Sequence, residues 1–142
     1  MQIPLFKPQT EWVKPEEFPD LTSRQQIAID LETSDPDLKT RGSGSVIGNG
    51  KVVGVAVATE GYQGYFPFDH EGGGNLEKSE VIQWFSDLCK SPAIKIFHNA
   101  MYDVCWIRAM GIKINGPIVD TMTAASLINE NRMRYDLNSL GR

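Results

Sequence analysis

The sequence is poor in the residues that build zinc sites and disulfide frameworks, with two cysteines and two histidines among its 142 residues. Cys89 and Cys105 are far apart and form no C-x-x-C pair, which argues against a metal knuckle or a disulfide staple and for two free buried thiols in helices. No apolar run approaches the roughly 20 residues that span a bilayer. The opening residues, Met1 to Pro8, lack the basic start and apolar centre of a signal peptide, so an intracellular protein with no membrane contact is expected. A basic excess is also missing. The formal net charge of -4 argues against a protein that grips long duplex by neutralising many phosphates. Any nucleic-acid contact then has to be short and metal-assisted, with further grip supplied from elsewhere. What remains, 142 residues with 41% apolar content, suits one domain around one core.

The stretch that organises the chain is Ile27-Ala-Ile-Asp-Leu-Glu-Thr33. Its apolar half reads as a buried strand from about Gln26 to Leu31, and that strand runs into Asp30 and Glu32. Residues two apart on a strand project to one face, so the two carboxylates share a space while Leu31 points the other way. Like charges held that close favour a cation between them, and hard oxygen ligands suit magnesium or manganese.

Residues 1–24 carry four prolines among charged residues and read as an extended arm, with a domain over 25–142. After the first strand, Ser34 to Ser45 reads as a mobile polar loop close to the carboxylates. A hairpin follows, with strands Lys51–Thr59 and Tyr65–Phe68 joined by a turn at Gly61–Gly64, and a three-stranded meander results if the first strand pairs with it. Asn75 is placed to cap a helix from about Leu76 to Cys89, whose Val81, Ile82, Phe85 and Leu88 form one apolar face; Pro92 stops it. A strand over Ala93–Phe97 then leads through His98 and Asn99, an N-cap candidate, into a helix from Ala100 to about Met110. Gly111 ends that helix. Ile118-Val119 forms a short strand, and Asp120 caps a helix from Thr121 to about Ile128. The pattern is α/β: a mixed sheet with flanking helices.

Asn99 and Asp103 stand at the cap and in the first turn of one helix, so both can face one side. If the strand before them runs parallel to the strand of Asp30, they arrive beside Asp30 and Glu32 at the edge where open α/β sheets place ligands.

A strand ending in D-x-E-T, then H-N-x-x-x-D, V-D-T-M and D-L-N-S-L, resembles the first two motifs of the DEDD-type 3′→5′ exonucleases with a ribonuclease H-like fold. Within these, the chain from about Gln26 to Arg142 is most similar to the proofreading domain of family A DNA polymerases, in phage-like form. The resemblance implies two divalent ions, Mg2+ or Mn2+, held by Asp30, Glu32 and Asp103, which form the catalytic set. It places Thr33, His98 and Asn99 near the terminal nucleotide, although His98 equally fits a plain strand-end residue. The implied substrate is a single-stranded or frayed DNA 3′ end, and the implied partner is a polymerase domain in the full-length chain.

This sequence departs from the pattern in one respect. The third motif, Y-x-x-x-D or H-x-x-x-D, follows the D-L-N-S-L segment in the family and does not occur after it among these residues. The resemblance thus implies a partial domain whose isolated activity is weak or nil. Tyr65-Phe-Pro-Phe-Asp69 has that spacing but precedes the second motif, and it reads as chance; His70 receives no role. A non-catalytic binding or structural remnant and an RNA-processing exonuclease of the ribonuclease D type are the alternative readings. Retention of all three acids favours the enzyme over the remnant.

Overall fold

The computed structural model describes residues 13–123. Strand β1 (Gln26–Ser34) alternates as its sequence demands: Ile27, Ile29 and Leu31 are buried, and Asp30 and Glu32 are exposed on the opposite face. Strands β2 (Lys51–Thr59) and β3 (Tyr62–Pro67) extend the buried face with Val55, Val57 and Phe66. Helix α3 (Lys78–Lys90) adds Val81, Phe85, Leu88 and Cys89 to this core, and helix α4 (Ala100–Ala109) adds Trp106 and Ile107. Burying a side chain such as Phe85 contributes about 1.5 to 3 kcal/mol. The predicted apolar face of α3 is therefore the seat of the core, with Ile82 at its margin.

Two short parallel strands, β4 (Ile94–Phe97) and β5 (Ile118–Asp120), complete a sheet of order β3-β2-β1-β4-β5. The meander is present, since β1 pairs antiparallel with β2 and β2 with β3. On its other side β1 pairs in parallel with β4, but only from Gln26 to Ala28. Beyond Ala28 the β1 edge is left for α4.

Four local expectations need correction. The hairpin turn is the two-residue Glu60-Gly61, with Gly61 at φ 77°, so β3 begins at Tyr62 and pairs at once with Thr59. The polar stretch after β1 folds into two short helices, α1 (Leu38–Arg41) and α2 (Gly44–Ile47), because the Asp35 carboxylate accepts the Gly44 N–H at 3.0 Å and braces the bend. Asn75 does not cap α3, which starts at Lys78 after Glu77; its amide instead makes a pair of hydrogen bonds with the His70 backbone, at 2.9 and 2.8 Å. Asn99 makes no side-chain cap for α4.

The described part of the N-terminal stretch, residues 13–24, has no helix or strand. Phe18 stacks on Phe66 at 5.8 Å, Trp84 donates its indole N–H to the Pro19 carbonyl at 2.7 Å, and Leu21 joins the core. Among the described residues no helix is long and apolar enough to cross a membrane. Cys89 and Cys105 are free thiols, the first buried and the second half-buried. The expected helix beyond Thr123 and the Tyr135–Arg142 segment, with Asp136, lie outside the described residues.

Candidate functional site

Strand β1 does not stop near Leu31 as expected but runs through both acids to Ser34, so Asp30 and Glu32 stand within the strand. Asp30 stands opposite Ala56 and Glu32 opposite Gly54, so small neighbours leave space above the sheet on the acidic face. Between Glu32 and Thr33 the register slips, and Thr33 pairs with Val52, which leaves Val53 as the extra residue of a bulge. Thr33 is drawn toward α4. Its hydroxyl bonds the Tyr102 hydroxyl at 2.9 Å, and Tyr102 donates to Asp35 at 2.8 Å. Because the one Tyr102 proton goes to Asp35, Thr33 is the donor in its own bond.

The third acid arrives on α4 through an unusual corner. Asn99 sits at φ 64°, ψ 63°, the single left-handed non-glycine among the described residues, a conformation that asparagine tolerates better than most. The Asp120 carboxylate accepts the Asn99 and Ala100 N–H groups, at 3.0 and 3.1 Å, and the Met122 N–H at 3.0 Å. It therefore caps α4 from a neighbouring strand as well as the turn that follows itself. Burial raises its pKa, yet these backbone donors hold the carboxyl below its ordinary range.

One turn into α4, Asp103 is only 4% exposed. It accepts the Leu31 backbone N–H at the β1 edge that β4 has left. Burial first, and then the charge of Asp30, push its carboxyl up to about 7, partly offset by the Leu31 bond. Its Oδ2 is buried without a hydrogen-bond partner among the described residues. Asp30 is itself raised, by desolvation and then by Glu32, with His98 pulling it back down. The acids of β1 and α4 thus form one electrostatic group, as the parallel β1–β4 pairing led us to expect.

His98 belongs beside them. It lines a cleft of about 750 Å3 together with Asp30, Ala56, Tyr65 and Thr121. The Thr121 hydroxyl donates to the Phe97 carbonyl at 3.2 Å, so His98 Nδ1–H donates to Thr121 at 2.9 Å, and Nε2 is left as a buried acceptor without a partner. Of the three residues expected near a nucleotide, His98 faces the cleft, Thr33 is bonded to Tyr102, and Asn99 is exposed at the left-handed corner.

Among the described residues no three His, Cys, Asp or Glu close into a metal-chelating cluster. The donor chemistry nevertheless suits a hard cation: Glu32 raises Asp30, Asp30 raises Asp103, and one Asp103 oxygen is buried and unpartnered. Sequence reasoning missed Tyr65, Tyr102, Asp35 and the double cap by Asp120. Tyr102 carried no signal, and Tyr65 none toward Glu32, because those partners are distant in the chain.

A sequence profile described as 3′-5′ exonuclease matches residues 14–142. A DNA-directed DNA polymerase of Pseudomonas phage M6 is 34% identical over 148 aligned residues, which cover 99% of this chain and 22% of that protein. DNA polymerase I of Borreliella burgdorferi is 31% identical over 112 residues, covering 78% of this chain and 11% of the relative. The chain thus spans about a fifth or less of the polymerases it matches. Among solved structures, Brucella melitensis NrnC with bound Mg2+ superposes with a TM-score of 0.58 at 21% identity, over 85% of this chain and 53% of that one. The likeness confirms the expected ribonuclease H-like fold, a mixed five-stranded sheet with flanking helices. The sequence match across nearly all of the chain goes further than fold, and this protein belongs to the 3′-5′ exonuclease family of family A DNA polymerases.

Proposed function

We propose that residues 25–142 form the proofreading part of an intracellular DNA polymerase, preceded by an arm over 1–24, and remove mononucleotides from a single-stranded or frayed DNA 3′ end. The observation that carries this reading is the coupling of Asp103 to Asp30 across the β1 edge, with one Asp103 carboxylate oxygen buried and unpartnered among the described residues. Asp30, Glu32 and Asp103 hold two divalent ions, Mg2+ or Mn2+. When bound, such ions lower the pKa of an attacking water and stabilise charge on the attacking and leaving oxygens. The protein's own residues set the geometry. Asp30 and Glu32 present their carboxylates from a strand fixed on both sides, by β2 along its length and by β4 at its start. Asp103 is held by the Leu31 N–H. His98 lines the cleft beside Asp30, its Nε2 buried and unpartnered, and with Thr33 and Asn99 it meets the terminal nucleotide. The polymerase domain lies elsewhere in the full-length protein.

Manganese titrated by calorimetry into this chain is expected to bind, and Asp30→Ala to abolish binding, with the thermal midpoint nearly unchanged because Asp30 stands on the open face of the sheet, outside the apolar core. Equal binding by both proteins removes the metal-site reading. The 142-residue chain by itself should release mononucleotides from a 3′-end-labelled strand at least about a hundredfold more slowly than a version continued through a third motif. Equal rates overturn the assigned catalytic set.

A further inference from the structure

Tyr65 stands opposite Ala56 and shares the sheet face of Asp30 and Glu32. Its ring leans along that face over Gly54, the residue directly opposite Glu32. A Cβ on Gly54 would sit 2.6 and 2.8 Å from two ring carbons of Tyr65, and closer still to its hydroxyl. Gly54 does not have a positive φ, so glycine is needed here for the space and not for the backbone. The seated hydroxyl reaches the Glu32 carboxylate on one side and His70 Nε2, at 2.5 Å, on the other. His70 is fixed in turn by the two backbone hydrogen bonds of Asn75.

We infer that Tyr65 is a positioning residue for the Glu32 carboxylate, seated in the notch at Gly54 and braced by His70, so that Glu32 presents its free oxygen to a divalent cation. The inference rests on the metal-site reading above. A phenol has one proton; donated to Glu32, it leaves the Tyr65 oxygen to accept from His70 Nε2–H. A carboxylate has lone pairs on two oxygens, so one can take the tyrosine while the other remains for the ion. Hydrogen bonds of this kind orient ligating carboxylates, and their loss typically weakens metal binding about 10- to 100-fold. Asp69, which completes the Y-x-x-x-D spacing with Tyr65, plays no part in this: it is paired with Lys51 and Lys78, at 3.0 and 3.2 Å.

The test is Mn2+ titration by calorimetry into the 142-residue chain, with the thermal midpoint recorded for each protein. Tyr65→Phe is expected to weaken Mn2+ about tenfold with little change in midpoint. Gly54→Ala, which keeps the hydroxyl but fills the notch, should weaken it comparably, and the double variant no further. In a Glu32→Gln background neither change should have an effect. Wild-type affinity in Tyr65→Phe and Gly54→Ala, or an equal loss in the Glu32→Gln background, overturns the inference. Wild-type binding that Asp30→Ala abolishes and Tyr65→Phe leaves intact sinks this inference alone. A wild-type chain that binds no Mn2+ sinks the metal-site reading and this inference with it.

Discussion

The two faces of the central strands are built from opposite materials. One face of β1, β2 and β3 carries Ile27, Ile29, Leu31, Val55, Val57 and Phe66, all buried. The other carries Ala28, Asp30, Glu32, Gly54, Ala56 and Ala58, which are small or acidic. A strand separates these roles by a single residue step, because successive side chains point to opposite sides. The large face holds the fold together. The small face leaves room for the acids, for the Tyr65 ring and for the cleft, and it is affordable because the large face already supplies the core. Neighbouring residues should therefore respond to substitution in opposite ways.

The largest stability effect is expected in the core that packs on the large face. Phe85→Ala should cost about 3 to 5 kcal/mol, read as a lowered denaturation midpoint, since it leaves a cavity under α3. At temperatures where the variant is still folded, its Mn2+ affinity should match the parent; a lost metal site would show that the faces are not separable.

Next comes an effect of opposite sign at the acidic edge. The Asp103 carboxyl is raised from 3.8 to about 7 in the folded protein, so the folded state holds this proton more tightly than the unfolded chain does. Its contribution is then most favourable below about pH 4 and is lost as pH rises through about 7. In chelator, Asp103→Asn should match wild type near pH 4 and be more stable at pH 8, by up to about 4 kcal/mol on the scale of 1.36 kcal/mol per unit. Thermal melts at the two pH values check this, and an equal difference at both would overturn the raised Asp103 carboxyl. A stabilised variant that no longer binds Mn2+ would sharpen the contrast between the faces, since an acid costly to the fold has been kept.

The smallest effect is expected at Ala58, exposed on the open face next to buried Val57. Ala58→Ser should change stability by less than about 0.5 kcal/mol, whereas Val57→Ala should cost clearly more. Similar losses in melts of the two variants would mean that the open face is covered.

Much of the site was legible because its first part is local. Asp30 and Glu32 are two residues apart on a strand, and periodicity alone puts them on one face. Asp103 could be brought to them by a single assumption, the parallel pairing of β1 with β4, which holds. Asn99 was harder. Its type suits a helix cap, but its backbone is left-handed, and the capping passes to Asp120, twenty-one residues on. Lys95 shows the same limit within β4. Ile94 and Ile96 supply that strand's apolar pattern, yet Lys95 and Phe97 are the residues buried on the core side. The lysine is accommodated because its amine donates to the Ser91 and Asn115 carbonyls.

By itself, the sequence determined the elements whose causes lie within a few residues: the alternation of β1, the apolar face of α3, the glycine that ends α4 and the acidic pair on one face of β1. The tertiary structure alone decided that Asp120 caps α4, that Tyr102 ties Thr33 to Asp35, and that the Tyr65 hydroxyl settles over Gly54 beside Glu32. Each of these joins residues about ten to seventy positions apart through a hydrogen bond or a missing methyl group, and it depends on strand register. A shift of one residue turns every side chain to the other face, and that register is fixed by how the whole core packs.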